Sequence, residues 1–198
     1  MTNGDALEQV RLFLPKYLSP SRQTDLWNEL RSFPNNRSIY STRDTEHDIL
    51  QGDGWRGFIA IDFHSLARKI VSGLVLSNSC DISADHRLPL VTNIAFVPVI
   101  RLDRYDELLK AAGQTEQQRH SVSETMRRQE VTSLMHLPPI HDVMLESVAL
   151  FTDVRSHPTD DFRAGERSLL FRLSDFGFYL FLFKLSIHFT RMLEGVER

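Results

Sequence analysis

The chain carries a single cysteine, Cys80, among 198 residues. One thiol excludes a disulfide framework, a four-cysteine zinc site and a CxxC redox pair, and it fits a reducing cytosol. Charge of one sign is missing as well. Lys plus Arg number 23 and Asp plus Glu 26, a formal charge of -3, so no global basic field draws in nucleic acid. Long apolar runs are lacking. The longest, Phe176 to Phe189 (FGFYLFLFKLSIHF), is interrupted by Lys184 and His188 and falls short of the roughly 20 residues of a membrane span. The opening MTNGDALEQVRLFLPK is acidic before it is apolar, so no secretory leader is expected and a cytoplasmic location is. The P-loop, GxGxxG, GxSxG, HExxH and EF-hand patterns are all absent. Nucleotide-driven and common hydrolase chemistry therefore have no motif. No cofactor, metal ion or membrane partner is expected.

What is present reads as one globular core with additions. Apolar residues make up 41% and charged residues 25%, globular proportions. Residues 1–36 read as a helical appendage. Ala6, Val10, Phe13 and Leu14 recur at helical spacing, and Ser19-Pro20 opens a second helix ending at the breaker Pro34-Asn35-Asn36. From residue 37 to 198 the character is β-rich. Gly54 to Phe63 alternates as a strand. Gly73 to Leu76 and Asn93 to Ile100 are short buried runs, with Pro98 calling for a bulge or an edge. Residues 103–131 form a polar helical insertion, with Tyr105, Leu108, Leu109 and Ala112 as its apolar stripe. Strands resume at Leu134 to His136, Glu146 to Val154 and Ser168 to Leu173. A closing helix runs over about 175–194, capped by Ser174 or Asp175, with Lys184, His188 and Arg191 as one solvated basic stripe.

The densest polar cluster is Ser77-Asn78-Ser79-Cys80-Asp81, directly after the run GLVL. Ser, Asn and Asp at a strand end form a turn by bonding nearby backbone. The same residues offer chemistry: Cys80 as a nucleophile with a histidine as base, or Cys80, Asp81, Asp85 and His86 as metal ligands, although their spacing matches no standard site. His136 and His141 bracket HLPPIH, where the prolines forbid a helix, and they read as surface or strand-end residues. Arg56, Arg68 and Arg101 lie on or beside the three first strands. They read first as solvated charges at strand ends; if those strands are neighbours, the arginines gather at one end, where they can hold a phosphate or an acidic partner.

The order of elements resembles the PemK/Kid/MazF toxins, small SH3-like barrels with a C-terminal helix. The resemblance rests on Gln51-Gly52-Asp53 leading into a strand, Gly73-Leu74-Val75-Leu76-Ser77-Asn78, Phe96-Val97-Pro98-Val99-Ile100 and Ser147-Val148-Ala149-Leu150-Phe151-Thr152-Asp153-Val154-Arg155 before a terminal helix. The segment LSNSCDI also resembles a group of bacterial proteins with a Ser-Cys-Asp-Ile signature. The resemblance implies an α+β fold, a partly open SH3-like barrel. It also implies RNA cleavage, which in the toxins uses an arginine before the second strand and a threonine in Pro-Ile-Thr. Here the arginine position reads Val71-Ser72 or Ser72-Gly73, with Arg68 nearby, and the threonine position is Ile100.

Three functions follow, in order of preference. The first is a non-enzymatic or degenerate barrel that binds a protein partner, or a second copy as a homodimer, in a bacterial toxin–antitoxin or phage-defence setting. The second is an endoribonuclease toxin with a rearranged site, in which Arg68, Asp81 and a histidine act on RNA. The third is an enzyme centred on Cys80. Arg68, Cys80 and Asp81 are the catalytic candidates, and Ser77, Asn78, Ser79, Arg56 and Arg101 the binding candidates.

Overall fold

The computed structural model describes residues 39–42, 48–62, 65–84 and 92–190, together with Thr24. The appendage expected over 1–36, Thr24 apart, lies outside the described residues, as do Asp85, His86 and Arg191. Within them the fold is α+β. Seven strands form one sheet in which every recorded pair is antiparallel, in the order β4-β5-β3-β2-β1-β7, with β6 also pairing β3.

The strands are β1 (Gly54–Ile61), β2 (Arg68–Val75), β3 (Asn93–Arg101), β4 (Leu134–Leu137), β5 (Ser147–Leu150), β6 (Arg155–Pro158) and β7 (Ser168–Phe171). Five helices accompany them: α1 (Ser79–Ile82), α2 (Leu102–Ala111), α3 (Glu116–Arg127), α4 (Thr159–Ala164) and α5 (Asp175–Thr190). Of the run GLVL, Gly73 to Val75 form the buried end of β2, which begins at Arg68. The run ESVALFTDV is not one strand. It breaks at Phe151–Val154, so that β5 pairs the end of β3 and β6 its beginning.

Pro98 explains itself by its place in that break. Leu76 N–H donates to the Ala95 carbonyl at 2.8 Å. Bonded and non-bonded pairs alternate along an antiparallel ladder, so Pro98, opposite Gly73, takes a non-bonded position toward β2. Its nitrogen faces the gap between the residues of β3 that pair β6 and those that pair β5. No ladder bond is lost there.

The sheet is apolar on both faces. On one face α5 covers Leu74, Val97, Val99, Met135, Leu137 and Ala149 with Phe176, Leu180 and Phe181. Ser174 is the cap of this helix, accepting from Gly177 N–H at 3.0 Å. Gly177 is required at the first turn, since a Cβ there would meet the Ile39 carbonyl oxygen at 2.1 Å. The opposite face carries two clusters. Phe58, Phe96 and Phe162 stack, with centroids 4.0 and 4.2 Å apart, above the bare backbone of Gly73, where a Cβ would strike both Phe96 and Phe58. Ile82 of α1 joins this cluster. The sheet curls around it, bringing β1 toward β6 although β2 and β3 lie between them; the rings of Phe58 and His157 are 6.2 Å apart.

The second cluster holds the insertion down. Met126 and Leu102 are buried against Leu134 and Val148, with Tyr105, Leu109 and Val122 beside them. Leu108 and Ala112, expected in the apolar stripe, face solvent instead. Helix α3 is set by a capping box at Thr115 and Gln118. Among the described residues no helix is long and apolar enough to cross a membrane.

Candidate functional site

The Ser77–Ile82 segment spends its polar atoms on backbone. Ser77 Oγ accepts from Ala95 N–H at 2.8 Å. Asn78 Oδ1 caps α1 by accepting from Cys80 N–H at 2.9 Å. Ser79 Oγ accepts from Gln51 N–H at 2.9 Å, and Gln51 Nε2 donates to the Leu76 carbonyl at 2.7 Å. These bonds join the end of β2 to β3 and to the loop before β1. Cys80 and Asp81 project outward as exposed side chains. Among the described residues no hydrogen bond reaches Cys80 Sγ, and no three His, Cys, Asp or Glu side chains gather closely enough to hold a metal ion.

Two buried polar constellations carry no label in the sequence. The first is Asp53 with Arg172. Nε and Nη2 of Arg172 donate to the two Asp53 oxygens at 3.0 and 2.8 Å, and Leu50 N–H adds a bond at 3.0 Å. Burial pushes the Asp53 carboxyl up, and Arg172 opposes that shift. The pair fastens the Gly52-Asp53 turn to the residue that follows β7. Gly52 sits at φ +84°, the left-handed region that favours glycine.

The second constellation runs from α5 to α3. Lys184, expected in a solvated stripe, is 4% exposed. Its Nζ donates to the carbonyls of Gln129 and Val131 at 2.6 and 2.8 Å, which follow the end of α3 and take two of the three ammonium protons. Burial lowers its pKa to about 8. Gln129, at φ 61°, turns its side chain onto the outer edge of β4. Its Nε2 donates to the His136 carbonyl at 2.6 Å, and its Oε1 accepts from His136 N–H at 3.1 Å.

His136 is buried on β4 rather than at the surface, and its Nε2 lies 2.8 Å from Glu146 Oε1. Arg127 grips both Glu146 oxygens at 2.8 and 3.0 Å and holds Glu146 down to about 2. Burial keeps the His136 pKa below its ordinary value, against the pull of Glu146. A histidine this enclosed, with its partner locked by an arginine, fastens β4 to α3 and β5. His141 is the surface histidine of HLPPIH, beside Asp142.

The three arginines differ in their partners. Arg101 is bound by Asp103 at the start of α2. Arg68, opposite Ile61, shares that end of the sheet, while Arg56 lies opposite Ser72. By register all three arginines share a face. Register puts Arg56, Ile59 and Ile61 of β1 and Arg68, Ile70 and Ser72 of β2 on the side that α5 covers further along. Here the helix no longer reaches. Ile59, Ile61 and Ile70 are 40, 43 and 68% exposed, and Ile59 and Ile70 are direct cross-strand partners. Among the described residues the side chain of neither Arg56 nor Arg68 takes part in a hydrogen bond or an ion pair. Every other described arginine is bonded. The sequence marked the two arginines. It did not mark the isoleucines, which read only as strand formers until the reach of α5 was known. No family model and no curated protein matches this chain.

Proposed function

We propose that this chain is a partly open, PemK-like barrel that works without catalysis, binding a protein partner in a bacterial toxin–antitoxin or phage-defence setting. The observation that carries the reading is the isoleucine face of β1 and β2, uncovered by α5 and flanked by Arg56 and Arg68, whose side chains are unengaged among the described residues. An exposed apolar patch rimmed by polar residues is the usual mark of an interaction surface. The barrel half of the reading draws on the curl that brings Phe58 and His157 together around the Phe58–Phe96–Phe162 stack. The non-catalytic half draws on Ser77, Asn78 and Ser79, whose side chains bond backbone.

The endoribonuclease reading keeps one supporting feature, the exposed Arg68, whose side chain has no partner among the described residues. The two readings separate in one experiment. The purified full chain is incubated with a mixed RNA pool, and co-expressed with the product of the adjacent gene. No cleavage, together with a co-purifying complex that Ile59→Asp abolishes, is the expected result. RNA cleavage that disappears in Arg68→Ala overturns it in favour of the toxin.

A further inference from the structure

The isoleucine face borders an open strand edge. On its outer side β1 pairs with β7 only through Gly54, Trp55 and Arg56. The register then shifts between Arg56 and Phe58, with Gly57 at φ 122°. Among the described residues no strand pairs with β1 beyond that point on this side, and β6 meets it through ring contacts without a ladder.

The alternation of bonded pairs decides which backbone groups face the opening. Asp62 N–H donates to the Ala67 carbonyl at 3.0 Å. Counting back along the antiparallel ladder, Ala60–Lys69 and Phe58–Val71 are the bonded pairs toward β2. Ile59 and Ile61 therefore aim their N–H and C=O groups outward. Two residues of the exposed ridge, Ile59 and Ile61, are therefore the residues of β1 whose backbone is unpaired among the described residues.

We infer that the edge of β1 from Phe58 to Ile61 is a strand-addition site for an extended segment of a partner protein, apolar at alternate positions and carrying a carboxylate toward each end. The inference rests on the reading of the chain as a partner-binding module. Strand addition takes affinity from main-chain bonds and specificity from alternate side chains, and Ile59, Ile61 and Ile70 supply the apolar half of that contact. Arg56 and Arg68 supply the charge. A second copy paired through the same edge would set these cations against their own equivalents. Single-stranded RNA wants aromatic platforms for its bases, and this face offers isoleucine.

The test uses the full chain, labelled for amide NMR, and a short synthetic peptide alternating valine and threonine between terminal aspartate and glutamate. The expected result is a shift and slowed exchange of the Ile59 and Ile61 amides. Backbone N-methylation of the peptide removes binding. The double variant Arg56→Glu with Arg68→Glu weakens it about tenfold and transfers preference to a peptide ending in lysines. Three results overturn the site: no amide change at millimolar peptide, equal binding of the N-methylated peptide, or an oligouridylate shifting the same amides in preference to the peptide. The N-methylated peptide needs no variant, so a misfolded mutant does not blur the outcome. If the adjacent-gene product still forms its complex while both peptides compete equally, strand addition fails and the module survives. If the chain cleaves RNA through Arg68, the module itself fails.

Discussion

At the β4 edge of the sheet the outward N–H and C=O of His136 are both taken by one side chain, the amide of Gln129. At the β1 edge the corresponding groups of Ile59 and Ile61 face no strand among the described residues. The first edge is sealed, and its strand is buried at all four residues. The second has three isoleucines in solvent. An unpaired edge is a template for another chain, and proteins that need no such partner blunt it. This sheet spends an amide, a lysine and a histidine–glutamate–arginine chain on one edge and none of them on the other. The difference separates an edge whose backbone groups are taken by a side chain from one whose groups face no strand among the described residues.

Removing the seal gives the largest expected effect. Gln129→Leu keeps the volume and strands the buried His136 N–H and C=O. Each orphaned group costs about 1–3 kcal/mol, so a loss of about 2–4 kcal/mol is expected in urea unfolding. Self-association should rise with it, because a second edge is now open. A variant as stable as the parent and no more self-associating would show that the amide contact seals nothing.

Lys184 comes next. In Lys184→Met the Gln129 and Val131 carbonyls lose their donor, at about 1 kcal/mol net at pH 7, since the buried charge is relieved at the same time. The pH dependence is the sharper reading. The folded pKa is about 8 against an ordinary 10.5, so between those values the unfolded chain binds more protons and stability rises with pH. Below pH 8 both states are charged and the full burial cost is present. The parent should gain on Lys184→Met from pH 8 upward. Tyr40, whose pKa burial raises, titrates in both proteins and cancels in the difference. Parallel curves would mean that the ammonium is hydrated.

The strands containing Gly54, Asn93 and Leu134 and the closing helix were legible because two-residue alternation and a long apolar run need no tertiary context. The break at Phe151–Val154 was not, since ESVALFTDV keeps its β-forming composition through the turn that hands the chain from β5 to β6. Lys184 misled for a related reason. Helical spacing aligns it with His188 and places a basic stripe on a wet edge, whereas the partners that bury it are carbonyls more than fifty residues away in sequence. Backbone acceptors have no residue code. Gln129, the key to the sealed edge, sits in a polar stretch that reads as exposed, and only its left-handed backbone and the position of β4 give it a role. The arginines of the open edge were visible as charges, but their lack of partners is a fact about their neighbours.

Acid should loosen the sealed edge before the open one. Glu146 is held at about 2 by Arg127, with His136 adding to it, below its ordinary 4.5. Its contribution is present above pH 4.5 and lost as pH falls toward 2. The lowered pKa of His136 acts in the same direction, because the fold resists its protonation below pH 6.5. Glu146→Gln should flatten the fall in stability between pH 4.5 and 2. Hydrogen exchange should show β4 losing protection there ahead of β1. Equal loss at both strands would dissolve the distinction between the edges under acid.

The smallest effect on folding is expected at the open edge. Ile70 is 68% exposed and Ile59 40%, so Ile70→Thr and Ile59→Thr remove little buried area and keep a β-branched residue in each strand. Exposed substitutions of this kind fall within about 0.5 kcal/mol. A stability change that small, combined with loss of the acidic peptide, separates the ridge from the core that α5 covers. A loss of 2 kcal/mol or more, the scale of a truncated core residue, would instead mean that the ridge is already buried in solution, by this chain or by another copy of it. The apparent opening at β1 would then be filled, and both edges of the sheet would be closed by different means.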